Sequence, residues 1–193
     1  MEATLEYKLI LAENQQLESK RLLLRPLSMS DAGDMHEYAS DEENTKYVFP
    51  THRDFTETKV VIANYFIADP LGKYAIELKK NRKMIGSIDL RVDMLNKNAE
   101  IGYTLNKKFW GQGLVPEACI LLMAFGFEKL QLQRIFAKYD ETNHNSGRVL
   151  DKIGMKKEGR LPKSRIDKDK IVTDIIKGLT IEDWEKNKES GKY

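Results

Sequence analysis

The amino-acid sequence predicts a single α+β domain that covers residues 1–193. Three observations carry this prediction. Between Tyr74 and Leu105 apolar residues alternate with polar ones, which is typical of half-buried β-strands. The segment Leu114–Leu130 is apolar around most of its circumference, as expected of a helix packed against a sheet. The chain shows no internal repeat and no linker, and its 193 residues fit the roughly 100–200 residues of one domain.

The N-terminal part of the chain predicts one strand and three helices. The leucine-rich segment Arg21–Arg25 predicts a strand that ends at Pro26, because proline cannot donate a ladder hydrogen bond. The helices are expected over Asp31–Tyr38, from Asp41 onward, and over Thr56–Ala68, where Asp69-Pro70 ends the last of them. Residues 1–19 have no firm periodicity, and we expect either a helix or strand docked on the domain or a partly mobile segment.

Three strands and the long helix follow. The strands are expected over Tyr74–Leu78, Met84–Val92 and Glu100–Leu105. In the third strand Glu100 lies on one face, and Tyr103 and Leu105 lie on the other. Pro116 fits the first turn of the helix Leu114–Leu130, where a missing N–H costs nothing.

The C-terminal part predicts a strand, a helix and a closing strand pair. Gly154 is the expected C-terminal stop of the helix. Trp184 is expected to close the core beside the last strand. The elements are the strand Arg134–Asp140, the helix Ser146–Ile153, and the strands Met155–Gly159 and Lys170–Leu179, joined by a polar, basic loop over Leu161–Asp169.

Composition and charge exclude several classes of protein. Hydrophobic residues make up 41% and charged residues 32% of the chain, which excludes a collagenous, low-complexity or wholly disordered protein. The single cysteine, Cys119, excludes an intramolecular disulfide and a multi-cysteine metal site. A net charge of +2 gives no field that recruits nucleic acid or a membrane. Since the apolar run Ala118–Phe127 is too short to cross a bilayer and residues 1–20 do not resemble a signal peptide, we expect a soluble, cytoplasmic protein.

The segment Asn106–Leu114, between the third strand and the long helix, carries the chemistry. Gly111 and Gly113 let backbone N–H groups converge without interference from a Cβ atom, and the helix adds unpaired N–H groups and a partial positive charge. Together these features predict an anion site suited to a pyrophosphate. The alternative is a loop whose glycines only permit a tight turn. The P-loop pattern is absent, and Gly111-x-Gly113-x-x-Pro116 lacks the third glycine of the dinucleotide fingerprint.

Several segments in matching order carry a resemblance to a known family. The central motif is Lys108-Phe109-Trp110-Gly111-Gln112-Gly113, followed by Glu117-Ala118 in the helix. The flanking segments are Arg21–Leu27 with Asp31-Ala32 upstream, and Arg134–Ala137 with Asn143–Met155 downstream. Over about residues 19–186 the chain resembles the GNAT superfamily of N-acetyltransferases, most closely the RimJ/RimL-type group that acetylates ribosomal-protein N-termini. Lys108 is a departure, since the family usually has Arg or Gln there.

The resemblance implies a fold, a reaction and a set of site residues. The fold is an α+β GNAT fold: a central, mostly antiparallel sheet splayed around the family's fourth and fifth strands, with helices on both faces. The reaction is acetyl transfer from acetyl-CoA to a primary amine by direct attack in a ternary complex. The implied catalytic residues are Glu100 as general base and Ser146 as proton donor to the thiolate. The implied acetyl-CoA-binding residues are Leu105 (through its backbone N–H), Lys108, Trp110, Gly111, Gln112, Gly113, Leu114, Val115, Asn143 and Ser146.

The acid–base chemistry of the acceptor favours an N-terminal amine. An amine attacks a thioester only when it is neutral, and the pKa is about 7.7–8.0 for an α-amino group but about 10.4 for lysine. Together with the resemblance to the RimJ/RimL-type group, this difference leads us to expect a protein N-terminus, ribosomal or other, as the acceptor. The alternatives are a small-molecule amine (a polyamine, an amino acid or an antibiotic-like compound) and a non-catalytic acyl-CoA-binding sensor. We expect no metal, no nucleic acid and no membrane partner, and a monomer or a homodimer.

Several of these residues have a second interpretation. Glu100 is either the base, with a pKa raised by partial burial or acting through water, or a solvated strand carboxylate. Asn143 and Ser146 are also good helix caps. Tyr103 and Tyr139 are either acid candidates or packing residues. Phosphate contacts or plain surface charges are the two alternatives for Lys107, Lys108, Arg148 and Lys152. A segment that attracts an acidic or ribosomal substrate, or a solvated loop, are the two alternatives for Lys163, Arg165, Lys168 and Lys170. His36, His52 and His144 have no metal-ligand spacing.

Overall fold

A computed structural model describes residues 2–193 of the chain, with side chains from Glu6 onward. The strands are β1 Leu17–Glu18, β2 Leu22–Arg25, β3 Lys73–Leu78, β4 Lys83–Asp93, β5 Asn98–Leu105, β6 Arg134–Asp140, β7 Lys156–Asp167 and β8 Lys170–Thr180. Within the described residues they form one sheet in the order β1-β2-β3-β4-β5-β6-β8-β7. All neighbouring strands are antiparallel except β5 and β6, which are parallel.

The helices surround this sheet. They are α1 Glu2–Glu13, α2 Ala32–Ala39, α3 Glu42–Thr45, α4 Phe55–Val61, α5 Leu114–Glu128, α6 His144–Lys152 and α7 Ile181–Glu189. Helix α4 continues as a π-helical segment over Ile62–Ile67, and 3₁₀ turns cover Met29–Asp31 and Lys107–Phe109. None of the helices described in residues 2–193 is long and apolar enough to cross a membrane.

Side-chain caps fix where four of these helices begin. In each case an oxygen of the capping side chain accepts a hydrogen bond from a backbone N–H in the first helical turn, which otherwise has no partner. The capping residues are Asp41 for α3, Asp54 for α4, Asn143 for α6 and Thr180 for α7. The cap at Asn143 fixes the first turn of α6, which carries Ser146.

The sheet has a hydrophobic core on each face. On the first face, which we call the α5 face, helix α5 packs on inward side chains of the central strands, among them Ile101 and Ile135. On the second face, which we call the α2 face, α2 and α4 enclose Met35, Ile62 and Met84. Both sides of the sheet are therefore covered, as the α+β prediction required.

Alternation along β5 sends neighbouring residues to opposite faces. Tyr103 contacts the core on the α5 face, so Glu100 and Gly102 lie on the α2 face. Asp89 and Arg91 of β4 lie directly opposite Gly102 and Glu100 in the antiparallel register, so they share that face. A polar group of side chains is thereby assembled on the α2 face at the centre of the sheet.

The parallel pair β5 and β6 is joined over only a short stretch. Its register runs from Asn98 opposite Arg134 to Glu100 opposite Phe136. Beyond these pairs, residues 101–105 of β5 and 137–140 of β6 are no longer hydrogen-bonded to each other. This opening, which we call the splay, confirms the expected fold. The family's fourth and fifth strands are β5 and β6 here, because the two-residue β1 precedes the expected strands.

The prediction of a loop over Leu161–Asp169 was wrong. The segment belongs to a long hairpin in which β7 and β8 pair as far as Asp167 opposite Lys170. Lys168 and Asp169 form the turn, both with positive φ (47° and 65°), as two-residue hairpin turns require. Nearly all of β7 is exposed, so no alternation of apolar and polar residues reveals it as a strand.

Candidate active site

The loop between β5 and α5 is held in shape by its own side chains. The Asn106 side chain accepts from the Lys108 N–H at 3.1 Å, and the Trp110 indole Nε1 donates to the Leu105 carbonyl at 2.8 Å. Gly111 and Gly113 then take φ values of 77° and 72°, a region that side chains other than glycine rarely adopt. The indole of Trp110, expected at the cofactor, thus fastens the loop to the end of β5.

The glycine loop presents a run of free amides at the start of α5. None of the N–H groups of residues 111–115 donates to another residue in the described part of the chain. Leu114 and Val115 have buried side chains, so only their backbone faces the loop. A Cβ atom built on Gly111 would meet no atom within 4 Å, which leaves open space above it. Free amides, open space and a helix N-terminus together suit a pyrophosphate.

Two further amides face into the splay. The Asn106 N–H donates to the Ile85 carbonyl at 2.8 Å, so the N–H groups of even-numbered residues in β5 point toward β4. Because N–H groups alternate in direction along an antiparallel strand, those of Tyr103 and Leu105 point away from β4 and toward β6. The Leu105 carbonyl is occupied by Trp110 and by the Asn44 side chain, which donates at 3.1 Å. The sequence pointed to the Leu105 N–H; the Tyr103 N–H and Asn44 were missed.

A pair of hydroxyl groups lies on the α5 face of the splay. The Ser146 Oγ and the Tyr103 hydroxyl are 2.9 Å apart and hydrogen-bonded. Burial raises the pKa of Tyr103 above its ordinary value, so this hydroxyl stays protonated. Asn143 caps α6 by accepting from the Ser146 N–H at 3.2 Å. Tyr139 packs instead against Gly147, where a Cβ atom would lie 3.0 Å from its hydroxyl.

Carboxylates lie on the opposite, α2 face. The Glu100 carboxylate is 3.2 Å from Arg91 Nη2 and 3.5 Å from Lys138 Nζ. Arg91 also binds Asp89, whose Oδ2 accepts from the Tyr65 hydroxyl at 3.2 Å. Burial raises the pKa of Asp89 above its ordinary value, against the opposing effect of Arg91. The sequence suggested only a polar strand face at Asp89, because Tyr65 reaches it from a distant segment.

The two lysines before the glycine loop do not stand free. Lys107 Nζ lies 2.7 Å from Asp41 and 2.9 Å from Glu43, and Lys108 Nζ lies 3.5 Å from Glu37. Their ammonium groups therefore link α2 and α3 to the loop. The Lys108 side chain is still 65% exposed, and its contact with acetyl-CoA stays a prediction. The partners come from segments more than sixty residues away, which the sequence does not pair with the loop.

Two of the basic residues of the β7–β8 hairpin, Arg165 and Lys168, are engaged within the chain. Lys168 donates to the Thr45 carbonyl at 2.7 Å, and Arg165 pairs with Asp167 and Asp174 at 3.0 Å and 3.1 Å. The Lys168 contact ties the hairpin tip to α3, whereas the Arg165 pairs lie within the hairpin.

The histidines, the cysteine and Trp184 make contacts within the fold. His36 and His52 both contact the Thr58 hydroxyl through Nδ1, at 2.8 Å and 2.9 Å. Cys119 is buried in α5, where burial raises the pKa of its thiol. Trp184 is buried and stacks on Phe127, as expected for a residue that closes the core. Within the part of the chain that the structure describes, no three His, Cys, Asp or Glu residues are grouped as metal ligands.

A splayed parallel strand pair, free amides inside it and a glycine loop before a helix define a class of enzyme, the acetyl-CoA-dependent acyltransferases. A sequence model of the acetyltransferase (GNAT) domain matches residues 21–156, and the chain belongs to this family. The protein is therefore an N-acetyltransferase that uses acetyl-CoA as co-substrate, and the alternative of a non-catalytic sensor is not retained.

Curated relatives and solved structures agree with this assignment. The chain is 33% identical over 152 residues to the uncharacterized N-acetyltransferase p20 of Bacillus licheniformis, covering 76% of this chain and 85% of that protein. A GNAT-family acetyltransferase from Bacillus anthracis is similar in structure, with a TM-score of 0.79, 25% identity, and coverage of 86% of this chain and 99% of that one. A GCN5-related N-acetyltransferase from Brucella melitensis shares the fold with a TM-score of 0.83, at 21% identity and 91% and 82% coverage.

Proposed function

We propose that the enzyme acetylates the N-terminal α-amine of a protein or peptide, as the RimJ/RimL-type resemblance implies. The observation that carries this proposal is the state of Glu100, which is bound to two cations, Arg91 and Lys138. A carboxylate held in this way suits an amine that is already partly neutral. At pH 7 about a tenth of free α-amines are neutral, against roughly four lysines per ten thousand.

One relative supports the choice of acceptor. The chain is 37% identical over 78 residues, 40% of its length, to a protein named as the putative ribosomal N-acetyltransferase YdaF of Bacillus subtilis. We take this local similarity as support for a protein N-terminus, with ribosomal proteins as one source of it.

In this proposal the backbone of the chain holds acetyl-CoA. The free N–H groups of residues 111–115 bind the pyrophosphate, and the pantetheine arm runs from there into the splay, past Leu105 toward Tyr103. The Leu105 N–H polarises the thioester carbonyl, and the Tyr103 N–H is a second donor one step deeper. Lys108, Trp110 and Asn143 complete the predicted cofactor contacts.

The two faces of the splay divide the proton transfers between them. On the α2 face Glu100 takes a proton from the amine through water molecules, because five strand positions, about 17 Å, separate it from Leu105. The neutral nitrogen forms a bond to the carbonyl carbon as the carbon–sulfur bond breaks. On the α5 face Ser146, hydrogen-bonded to Tyr103, donates a proton to the departing thiolate. A thiol with a pKa near 8.5 needs only modest help to leave.

A polyamine acceptor is the second candidate. The chain is 23% identical over 140 residues to the spermidine N(1)-acetyltransferase of Escherichia coli (strain K12), covering 72% of this chain and 74% of that protein. Acidic side chains of α2 and α3 line the approach to the loop, and a polyamine would compete with Lys107 for Asp41 and Glu43.

Mass spectrometry on three acceptors tests the proposal. A peptide with a free N-terminal Ala or Ser is incubated with enzyme and acetyl-CoA beside an N-terminally blocked, lysine-bearing version and spermidine. We expect acetylation of the free peptide at its α-amine and none of the blocked one. Efficient modification of the blocked peptide with none of the free one contradicts the proposal in favour of lysine. Modification of spermidine alone contradicts it in favour of the second candidate.

A further inference from the structure

A carboxylate lies where the anion site needs positive charge. Glu117 is in the first turn of α5, immediately after the free amides of residues 111–115. A negative charge at a helix N-terminus is favourable by itself, but it repels a second anion bound at the same terminus. The site therefore holds a group that opposes its own ligand unless that group is neutralised.

The segment before β2 neutralises this carboxylate. Arg21 Nε lies 2.6 Å from Glu117 Oε2, and the Arg21 N–H donates to Oε1 at 3.0 Å. The Ser19 hydroxyl donates to the same Oε1 at 2.7 Å. Burial alone would raise the pKa of Glu117, but the hydrogen bonds from Ser19 and Arg21 outweigh it and hold that pKa below the usual range. Glu117 is thus ionised and paired, with its side chain 19% exposed.

The same guanidinium also orients the glycine loop. Arg21 Nη1 donates to the Gln112 carbonyl at 3.0 Å. Since the carbonyl and N–H of a trans peptide point in opposite directions, this bond turns the Gly113 N–H away from Arg21. Arg21 Nη2 lies 3.7 Å from where a Cβ atom on Gly113 would be, so the guanidinium spans the loop and the first turn of α5.

We propose that Arg21 is a positioning residue for acetyl-CoA, which cancels the charge of Glu117 and fixes the Gln112–Gly113 peptide so that the loop can hold the pyrophosphate. The inference rests on the proposed placement of the pyrophosphate on residues 111–115. An ion pair with a 44% exposed arginine contributes little to stability. The effect of Arg21 is therefore expected in cofactor binding rather than in folding.

Two variants that break the same ion pair separate this role from a structural one. Arg21→Gln leaves the Glu117 charge unpaired beside the phosphates and frees the Gln112 carbonyl, so we expect affinity for CoA to fall about tenfold or more. Glu117→Gln breaks the pair without leaving a negative charge, so we expect affinity within about twofold of wild type or tighter. The double variant should recover most of what Arg21→Gln loses. If Arg21 were only a structural tie, the two single variants would bind CoA equally weakly.

Calorimetry with CoA, at low and at moderate salt, is the measurement. The loss in Arg21→Gln should shrink as salt screens the exposed charge, and steady-state kinetics should show a raised KM for acetyl-CoA with kcat and the acceptor KM unchanged. Arg53→Gln, which breaks the exposed pair with Glu57, is the matched charge control and should bind like wild type. Arg21→Lys keeps the charge without the fork and should lie between wild type and Arg21→Gln, which covers the case that Arg21→Gln fails to fold.

Four results overturn the inference. Equal weakening by Arg21→Gln and Glu117→Gln assigns Arg21 a structural role only, as does a double variant no better than Arg21→Gln. Wild-type affinity in folded Arg21→Gln removes Arg21 from the site. Failure of the wild-type enzyme to bind CoA at all removes the pyrophosphate site itself, and with it the proposed mode of cofactor binding.

Discussion

Replacing Glu100 by Gln removes one negative charge from the α2 face while keeping the size of the side chain. The lost partners are Arg91 at 3.2 Å and Lys138 at 3.5 Å. At 23% exposure these pairs contribute about 0–1 kcal/mol, so the melting temperature should fall by about 4 °C at most. General base catalysis contributes roughly 10²–10⁴-fold in rate, or about 2.7–5.4 kcal/mol of activation free energy. Turnover should therefore collapse in a protein that remains folded.

The assay is the rate of acetylation of a peptide with a free N-terminus, measured against pH for wild type and Glu100→Gln. The KM for acetyl-CoA should stay unchanged, because the carboxylate lies on the amine side of the splay. Glu158→Gln is the matched control, since Glu158 pairs with Arg134 at the closed end of the parallel pair and should leave turnover at the wild-type level. A Glu100→Gln enzyme with a rate within threefold of wild type and an unaltered rate–pH profile would refute the assignment.

Three further predictions concern the glycine loop, the hydroxyl pair and Glu117. Gly113→Val places a side chain at a φ of 72°, which costs about 1–2 kcal/mol or more, and it should abolish CoA binding by calorimetry; full affinity in a folded variant places the phosphate site elsewhere. Ser146→Ala should lower kcat by only roughly tenfold, since a thiol with a pKa near 8.5 is a good leaving group, and an unchanged kcat contradicts the assignment of Ser146 as proton donor. Folding lowers the pKa of Glu117, so the ionised carboxylate stabilises the folded protein. This contribution is present above the usual glutamate pKa of about 4.5 and is lost as pH falls through the pKa of the folded state. Thermal melts should show Glu117→Gln less stable than wild type at pH 7 and the gap closing below pH 4.5; a gap that does not depend on pH contradicts this.

The sequence was most informative where burial imposes a pattern. The strand Arg134–Asp140 was predicted with its observed bounds, because one of its faces is buried against α5 and its residues alternate accordingly. The glycine loop was also recognised in advance, since positive φ at Gly111 and Gly113 limits those positions almost to glycine. The helix over Thr56–Ala68 was found, but its change to a π-helical turn at Ile62 was not.

Contacts between distant segments were beyond the reach of the sequence. Tyr65 on Asp89, Asn44 on Leu105 and Arg21 on Gln112 each join residues 24, 61 and 91 positions apart. No local pattern encodes such pairs, because they depend on how the helices lie over the sheet. The ion pairs of Lys107 with Asp41 and of Lys108 with Glu37 are further contacts of this kind.

The splay has a mechanical consequence for the sheet as a whole. The sheet consists of two parts, β1–β5 and β6–β8, which are joined through the pairing of β5 with β6. On β5 this pairing runs only from Asn98 to Glu100. In the proposed mode of binding, the pantetheine arm lies between these two parts of the sheet and accepts hydrogen bonds from the amides of Tyr103 and Leu105. Binding of CoA should therefore make the junction between β5 and β6 more rigid and slow hydrogen exchange at the Tyr103 and Leu105 amides. Amides of β4 that are already paired should exchange as before. In that binding mode, acetyl-CoA takes up hydrogen bonds that β5 and β6 leave open beyond Glu100 and Phe136.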